Sequence, residues 1–505
     1  MSDTFSLIFG GFETLFTLQN LLILILGVTI GVIAGSIPGL SSSNTTAILL
    51  PMTLGMGISG AMVFIGSVYV GCQYGGSIPA ILFKTPGTTG AGATTIDGFP
   101  LAQQGKATFA LGISLTASCV GGVIAALISL FIIKPSAQIA LKFGPAEIFL
   151  LAMVGIAVIV TSSEKNMGKG LLAGVMGMLI AIMSADPSLG RPRLTFGIIE
   201  LYNGIPLIPA LVGLFAYPSM ISLVGEKTIA RNVEENVGNT QQLFAGLRQT
   251  IRNFGAVLRS SLIGLFVGIL PGAGIDVAAF LSYGQAKIFS KHPEKFGHGA
   301  PEGVIAAEAS NNAVCGGALV PSIALGVPGS STMAIMLAAL TLQGINPGPQ
   351  VMRMYSGEVY SLFVAVLLAN VLLFPIGLLY TKSVSKLSVT NMGYLIPGIF
   401  AIAMIGCLAT RGFLFDMALF MVFGILGYVM TENNYPIVPL ILGLVMGPIA
   451  EENFVVAFRL SKGSFGIFFE NGIDIVLWIV IILSLVLPKL FSVLREKKRA
   501  KQSAL

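Results

Sequence analysis

Charge is what this chain has least of. Asp, Glu, Lys and Arg together make up 10% of its 505 residues, against roughly 25% in a soluble domain. Hydrophobic residues reach 54% and the mean hydropathy is +0.89, which excludes an ordinary water-soluble fold and points to the membrane. Lysine and arginine are absent from residues 1–83. The net charge of +6 is confined to a few connecting loops, so no basic face is offered to a nucleic acid. Basic loops lying on an anionic cytoplasmic leaflet account for it. Cysteine is scarce too. Cys72, Cys119, Cys315 and Cys407 stand far apart in apolar surroundings, form no CxxC or Cys/His set, and read as small buried hydrophobes. The two histidines, His292 and His298, share the polar stretch SKHPEKFGHG, which reads as a solvated loop, with proton carriage as the alternative role for them. With no HExxH, no histidine in an apolar run and no Ser–His set, intramembrane hydrolysis has no equipment here.

What the chain has in abundance is long apolar runs. A membrane-crossing helix needs about 20 such residues. Runs at 18–35, 107–133, 145–161, 169–185, 204–225, 255–270, 356–381, 395–410, 412–430, 434–450 and 472–492 approach or meet that need. Shorter pieces at 45–57, 61–73, 77–84, 275–289, 303–325 and 331–343 are interrupted by Gly, Pro, Asn and Ser. The fold class expected is an all-α polytopic membrane protein of about 10–13 transmembrane helices plus re-entrant or broken helices. The apolar run after residue 18 lacks a preceding basic segment and reads as a retained span rather than a cleaved signal. The basic tail Arg495–Lys501 and the connector with Lys227, Arg231, Arg248, Arg252 and Arg259 belong on the cytoplasmic side by the positive-inside rule.

The chain also repeats itself. IGVIAGSIPGL (30–40) is echoed by IGLFVGILPGA (263–273), Gly75-Gly76 by Gly316-Gly317, and Pro86-Gly87 by Pro328-Gly329. TTIDGFP (94–100) is faintly echoed by TLQGINP (341–347), and four such marks in one order indicate duplication. The expected division is a first transmembrane repeat over 1–225, a polar cytoplasmic connector over 226–259, a second repeat over 260–485 and a basic tail over 486–505. The flanks of the two copies differ in charge, which suggests inverted topology.

Pro38-Gly39, Pro86, Pro271 and Pro328 read as structural breaks inside apolar segments. A broken helix in lipid frees backbone groups that protein or a wet cavity must satisfy, and paired breaks in two halves point to a transporter's binding site. The polar residues beside the breaks are the candidates: Ser43, Asn44, Thr45, Lys84, Thr85, Gly87, Thr88, Asn311, Asn312, Gly329, Ser330 and Ser331 for substrate. Asn44, Gly272, Asp276 and Asn311 offer oxygen to a hard cation such as Na+. Helix capping by Ser, Thr and Asn is compatible with ligand contact. Glu308 and Ser310 lie in the same EASNNAVCGG stretch as the two asparagines. Gly31/Gly35 and Gly264/Gly268 are spaced for close helix packing. Lys84 has two readings side by side, a counter-charge for a substrate carboxylate or a lysine snorkelling from a helix end. Asp276 is a cation ligand or a partner for Lys84.

The stretches GSIPGL, YGGSIPAILFKTPG, DGFPLAQQGKA, GILPGAG, LQGINPGP and the long block from Phe280 to Thr332 resemble the large membrane subunit of the tripartite tricarboxylate transporters. The resemblance covers nearly the whole chain. It implies a permease of the bacterial cytoplasmic (inner) membrane that takes up citrate-like di- or tricarboxylates or related organic acids, coupled to a Na+ or H+ gradient and without a cofactor. It implies two partners, a small membrane subunit of about four spans and a periplasmic or extracellular solute-binding protein; homo-oligomers are compatible with it. An uncoupled anion channel, or a permease for a non-carboxylate solute, is the alternative. The chain departs from the family's pattern in reading PGLSSSN for PGLGP, FKTPG for LNTPG, and Asp276 where members carry a small or hydroxyl residue.

Overall fold

The computed structural model describes residues 2–37, 40–84, 86–162, 167–185, 191–224, 239–270, 275–345, 347–348, 350–387 and 392–483. In chain order the helices are α1 (Ser2–Leu15), α2 (Leu18–Gly35), α3 (Ser42–Leu49), α4 (Gly57–Gly75), α5 (Ser77–Phe83), α6 (Thr94–Leu101) and α7 (Ala107–Ala140). Then come α8 (Pro145–Ser162), α9 (Met167–Ala181), α10 (Leu207–Leu223), α11 (Thr240–Arg252), α12 (Phe254–Ile269), α13 (Ile275–Phe289) and α14 (Pro301–Leu325). The remainder are α15 (Ser331–Leu342), α16 (Val351–Met354), α17 (Ser356–Leu387), α18 (Met392–Arg411), α19 (Leu414–Glu432) and α20 (Ile437–Leu460). Among the described residues five helices are long and apolar enough to cross a membrane, and seven shorter apolar ones run 10–17 residues. The strand content described is one two-residue ladder, Ser184–Ala185 against Pro192–Arg193.

Chain contacts define two compact units. Unit 1 holds 1–140 and 208–428, and unit 2 holds 141–207 and 429–505. In unit 2, α8 and α9 pack on α20. Gly177 lies so close to Leu440 and Gly443 that no Cβ fits; Phe454 and Phe468 stack at a ring-centroid distance of 5.5 Å, and Phe149 lies tilted against both at 5.3 and 5.2 Å. Arg193 pairs with Glu451 through both terminal guanidinium nitrogens. Part of the polar connector is the helix α11. It is capped by Asn239, whose side chain accepts the Gln241 and Gln242 amides at 3.0 and 3.3 Å, and it lies on α7 with Gly246 against Phe109.

Unit 1 is organised by two helix crossings of the same design. α2 crosses α4 where a Cβ on Gly31 would strike Val68 and Gly71, and one on Gly35 would strike Cys72. α12 crosses α14 where a Cβ on Gly264 would strike Ser310 and Ala313, and one on Gly268 would crowd Val314 and Gly317. In an apolar medium, where hydrophobic burial gives helices no reason to associate, this close backbone approach supplies the dispersion contact that holds them. The GxxxG spacings thus do what their pattern suggests.

The crossings also correct the register of the duplication. Gly75 packs on Val32 and Gly35, and Gly317 packs on Leu265 and Gly268. Gly75 therefore corresponds to Gly317, one residue later than the Gly-Gly strings suggest. With that shift the match runs through the next break. Lys84 and Gly326 both end their helices in the left-handed conformation, at φ 58° and 72°. Gly87 lies on Gly35 and Gly76, as Gly329 lies on Gly268 and Ala318. String matching finds the marks but misplaces a one-residue gap that only contacts reveal.

Replacing Gly31 or Gly264 by Leu forces the paired helices apart, and overpacking of this kind costs about 1–3 kcal/mol or more. The expected outcome is a lower unfolding temperature, or loss of a monodisperse peak, for either variant in detergent. The Gly284→Ala control, with nothing within 4 Å of its new methyl, stays close to wild type.

Candidate functional site

The breaks in unit 1 converge. Ser41 caps α3 by accepting the Asn44 amide at 3.2 Å, and Ser330 caps α15 by accepting the Met333 amide at 3.3 Å. These two helix starts come from opposite halves of the chain and meet. The Ser42 and Thr332 hydroxyls are 3.0 Å apart, both buried. Around them the Gln73 amide donates to the Ser42 hydroxyl at 2.9 Å, and the Asn311 amide donates to the Gln73 backbone carbonyl at 3.1 Å. The Tyr69 hydroxyl lies 3.5 Å from Ser330, and the Asn44 amide donates to Ser219. α4 is thus the spine of the site, contributing Tyr69 and Gln73 between α3, α15 and α14.

The reciprocal junction lies at the other pair of breaks. Gly90, in the 3-10 turn Thr89–Gly92, is pressed against the Asn311 side-chain oxygen and the Ile275 side chain at the start of α13. In the corrected register Gly90 stands where Thr332 stands, and Ile275 where Ser42 stands. The second junction repeats the first with apolar and glycine surfaces in place of hydroxyls.

Three buried oxygens here have no hydrogen-bond partner among the described residues: Gln73 Oε1, Thr88 Oγ1 and the Asn311 side-chain oxygen. A buried acceptor without a partner costs about 1–3 kcal/mol, and these three stand beside the helix ends. Among the described residues no group of three or more His, Cys, Asp or Glu is arranged to hold a metal. A hard cation here would rest on amide, hydroxyl and backbone oxygen instead.

The predicted residues separate into groups. Ser43, Asn44, Thr45, Thr88, Asn311 and Ser330 are buried at the junctions, and Ser331 is half-buried at the first position of α15. Gly87 and Gly329 serve close packing: their amides donate to the Gly76 carbonyl at 3.0 Å and the Ser322 hydroxyl at 3.2 Å. Asn312 faces elsewhere, donating to Asn370 on α17 at 3.2 Å. Lys84 is exposed, its ammonium 5.8 Å from the Phe99 ring centroid. Pro86 and Pro328 sit in the turns that follow the left-handed residues. Thr85, Pro38, Gly39, Pro271, Gly272 and the side chain of Asp276 lie outside the described residues.

Sequence reasoning left Tyr69, Gln73 and Ser219 out of the candidate set. Polar side chains inside apolar runs were the available signal. It also passed over Asp97, fully buried, whose carboxylate accepts the Gly297, Gly299 and Ala300 amides at 2.8–2.9 Å and the Tyr283 hydroxyl at 2.9 Å. That carboxylate lies at the N-terminus of α14, where the helix dipole favours it, and holds in place the helix that carries Asn311. The DGFP and FGHGAPEG strings are therefore two sides of one clasp.

The features together define a multi-pass helical membrane protein with two related half-structures and a polar junction of helix ends between them. The family model of the "Tripartite tricarboxylate transporter TctA family" matches residues 21–442, and the chain belongs to that family. A relative from Agrobacterium vitis, the "Uncharacterized 52.8 kDa protein in TAR-I ttuC' 3'region", is 34% identical over 473 residues, 94% of each chain. A second from the same organism, the "Uncharacterized protein in TAR-II ttuC' 3'region", is 37% identical over 210 residues, 42% of this chain and 87% of the relative. The protein is the membrane component of a three-part carboxylate transporter, and the family is one of transporters rather than enzymes.

Lys84 holds a left-handed backbone that costs a residue with a Cβ about 1–2 kcal/mol, where its counterpart is Gly326. Lys84→Gly is expected to raise the unfolding temperature of the purified protein, relieving about 1 kcal/mol. A lowered temperature would mean that the lysine's contacts outweigh its strain.

Proposed function

We propose that this chain is the permease subunit that carries citrate-like di- or tricarboxylates, or related organic acids, inward across the bacterial cytoplasmic membrane. The single observation that carries the reading is the meeting of α3 and α15. Each helix start presents unsatisfied backbone N–H groups and the positive end of a dipole. Two such ends come from opposite halves, their Ser42 and Thr332 hydroxyls sharing a 3.0 Å hydrogen bond, and an anion lying beside both helix starts is favoured by the two dipoles together. The substrate carboxylates take that place, with Ser43, Asn44, Thr45, Ser330 and Ser331 around them. Gln73 and Asn311 orient the α4–α14 side.

Transport follows from the duplication. The recurring crossings and junctions support two inverted-topology repeats with re-entrant segments, and such pairs alternate access by moving one part against another around a fixed site. A Na+ or H+ gradient drives the movement, with a cation resting on Asn44 and Asn311 and on the segment holding Gly272 and Asp276. The partners are a small membrane subunit and an extracytoplasmic solute-binding protein, which delivers the acid to the outward-open site. The basic tail after Arg495 faces the cytoplasm.

Uptake of labelled citrate, tartrate, succinate, glutarate and terephthalate into membrane vesicles carrying all three components tests this directly. Saturable, gradient-dependent accumulation of one acid is expected, and linear flux without saturation would indicate a channel. A hydrogen bond to a charged group is worth about 1.5–3 kcal/mol, so Asn44→Ala and Asn311→Ala should each lower uptake by about tenfold or more at unchanged expression. Full uptake in both variants would remove these residues from the site.

A further inference from the structure

α14 carries an ionisable side chain that substrate binding does not use. Glu308 is 0% exposed and sits one turn before Asn311 and Asn312 on the same helix. Hydroxyls hold its oxygens. Thr94, at the first position of α6, donates to Oε1, Ser118 on α7 donates to Oε2 at 2.9 Å, and Ser114 one turn earlier is a third partner. Ser114 also shares a 2.6 Å hydrogen bond with Ser77, the first residue of α5.

Among the described residues no cation compensates this carboxylate: no lysine or arginine forms an ion pair with it, and the arginines in ion pairs are Arg193 with Glu451 and Arg411 with Asp416. The titratable groups on the elements around it do not help. Tyr74 on α4 and Cys119 on α7 are fully enclosed and carry no positive charge. Asp97 on α6 and Tyr283 on α13 are bonded to each other. Arg259 on α12 lies over the Phe289 ring, 5.0 Å from its centroid. An isolated carboxylate taken fully out of water carries a penalty of several kcal/mol, which hydrogen bonds offset in part and a bound proton removes.

We propose that Glu308 is the proton-binding carboxyl of the transport cycle. The inference rests on the transport reading and, of the two gradients named there, assigns the proton to this position. The step is a simple protonation. One proton binds one carboxylate oxygen, one negative charge is cancelled, and no other bond forms or breaks. Its mechanical consequence follows from the donors. The ionised carboxylate accepts from both Thr94 and Ser118, whereas the protonated carboxyl is itself a donor on one oxygen. One of the hydroxyls around it, on Thr94, Ser118 or Ser114, must then turn from donor to acceptor. Thr94 begins the helix that follows the second break, so the proton registers at the seam between that segment and α14, one turn from Asn311. The load is thereby sensed beside the substrate site rather than within it.

The test uses the full chain in lipid nanodiscs and, with both partner subunits, in liposomes. Infrared difference spectra of the wild type, titrated from about pH 5 to pH 9, are expected to show a carboxylic-acid C=O band that appears and disappears with pH and is missing from Glu308→Gln. An unchanged band in the variant would overturn the assignment. In liposomes, an inward gradient of about one pH unit raises citrate accumulation about tenfold at equilibrium for one coupled proton. In Glu308→Gln that ratio is expected to fall to about one, and a ratio kept near tenfold would again overturn it. The amide preserves side-chain volume. If the variant nevertheless fails to fold, Thr94→Val serves instead, because removing that donor shifts the frequency of the Glu308 band, and an unmoved band contradicts the proposal. If the wild type moves none of the acids while the band still depends on Glu308, the transport reading fails and the proton site stands.

Discussion

Backbone groups freed where a helix breaks inside an apolar medium must be satisfied by the protein, and the rest of unit 1 is arranged around that constraint. No water within lipid accepts or donates the missing hydrogen bonds. At the second break the Gly87 amide reaches the Gly76 carbonyl, and at the fourth the Gly329 amide reaches the Ser322 hydroxyl. Both reaches require the turn to lie flat against a helix crossing, and both crossings are glycine-lined for that reason. The glycines of α2, α4, α12 and α14 are thus part of the site, because they bring the broken ends near enough to cover one another. Between the halves lie the buried acceptors of Gln73, Thr88 and Asn311, with the opposed starts of α3 and α15 beside them.

The two junctions divide their chemistry unequally. Ser42 and Thr332 face each other with hydroxyls, whereas Ile275 and Gly90 face each other with a methyl and bare backbone. A duplicated scaffold has kept its geometry while its polar groups concentrate at one end of the pseudo-symmetric pair, with Asn311 and Gln73 connecting the ends. Charge follows the same rule. Lys84 and Gly326 share a backbone conformation that suits glycine and strains lysine, and the lysine's ammonium lies over Phe99 rather than among the buried amides.

Much of this was legible in the sequence. The apolar runs foretold the helices, in several cases to within a residue or two, because length and hydrophobicity decide membrane helices almost by themselves. Pro-Gly pairs in apolar segments marked the breaks, and the serines and asparagines beside them marked helix starts. The rest was not local. Gln73 and Tyr69 lie in an apolar helix whose importance comes from what α3 and α15 place against it. The role of Asp97 depends on a turn some 200 residues away, reached only in the fold. The register of the duplication depends on a one-residue gap that repeated Gly-Gly strings conceal. Asn312 beside Asn311 shows the limit most simply, since two adjacent asparagines on one helix face different neighbours.

The central claim is that two helix starts are brought together to hold an anion, and the most direct measurement places a fixed negative charge between them. Unfolding temperatures of purified wild type and Thr332→Asp would be compared with and without citrate. If the junction is an anion site, the aspartate stabilises the substrate-free protein, by an amount in the range of about 0.3–2 kcal/mol for a charge at a helix N-terminus, and abolishes the stabilisation that citrate gives the wild type. If the aspartate destabilises the protein and citrate still raises its unfolding temperature as in the wild type, the carboxylate binds elsewhere and the meeting of α3 and α15 is only a structural seam.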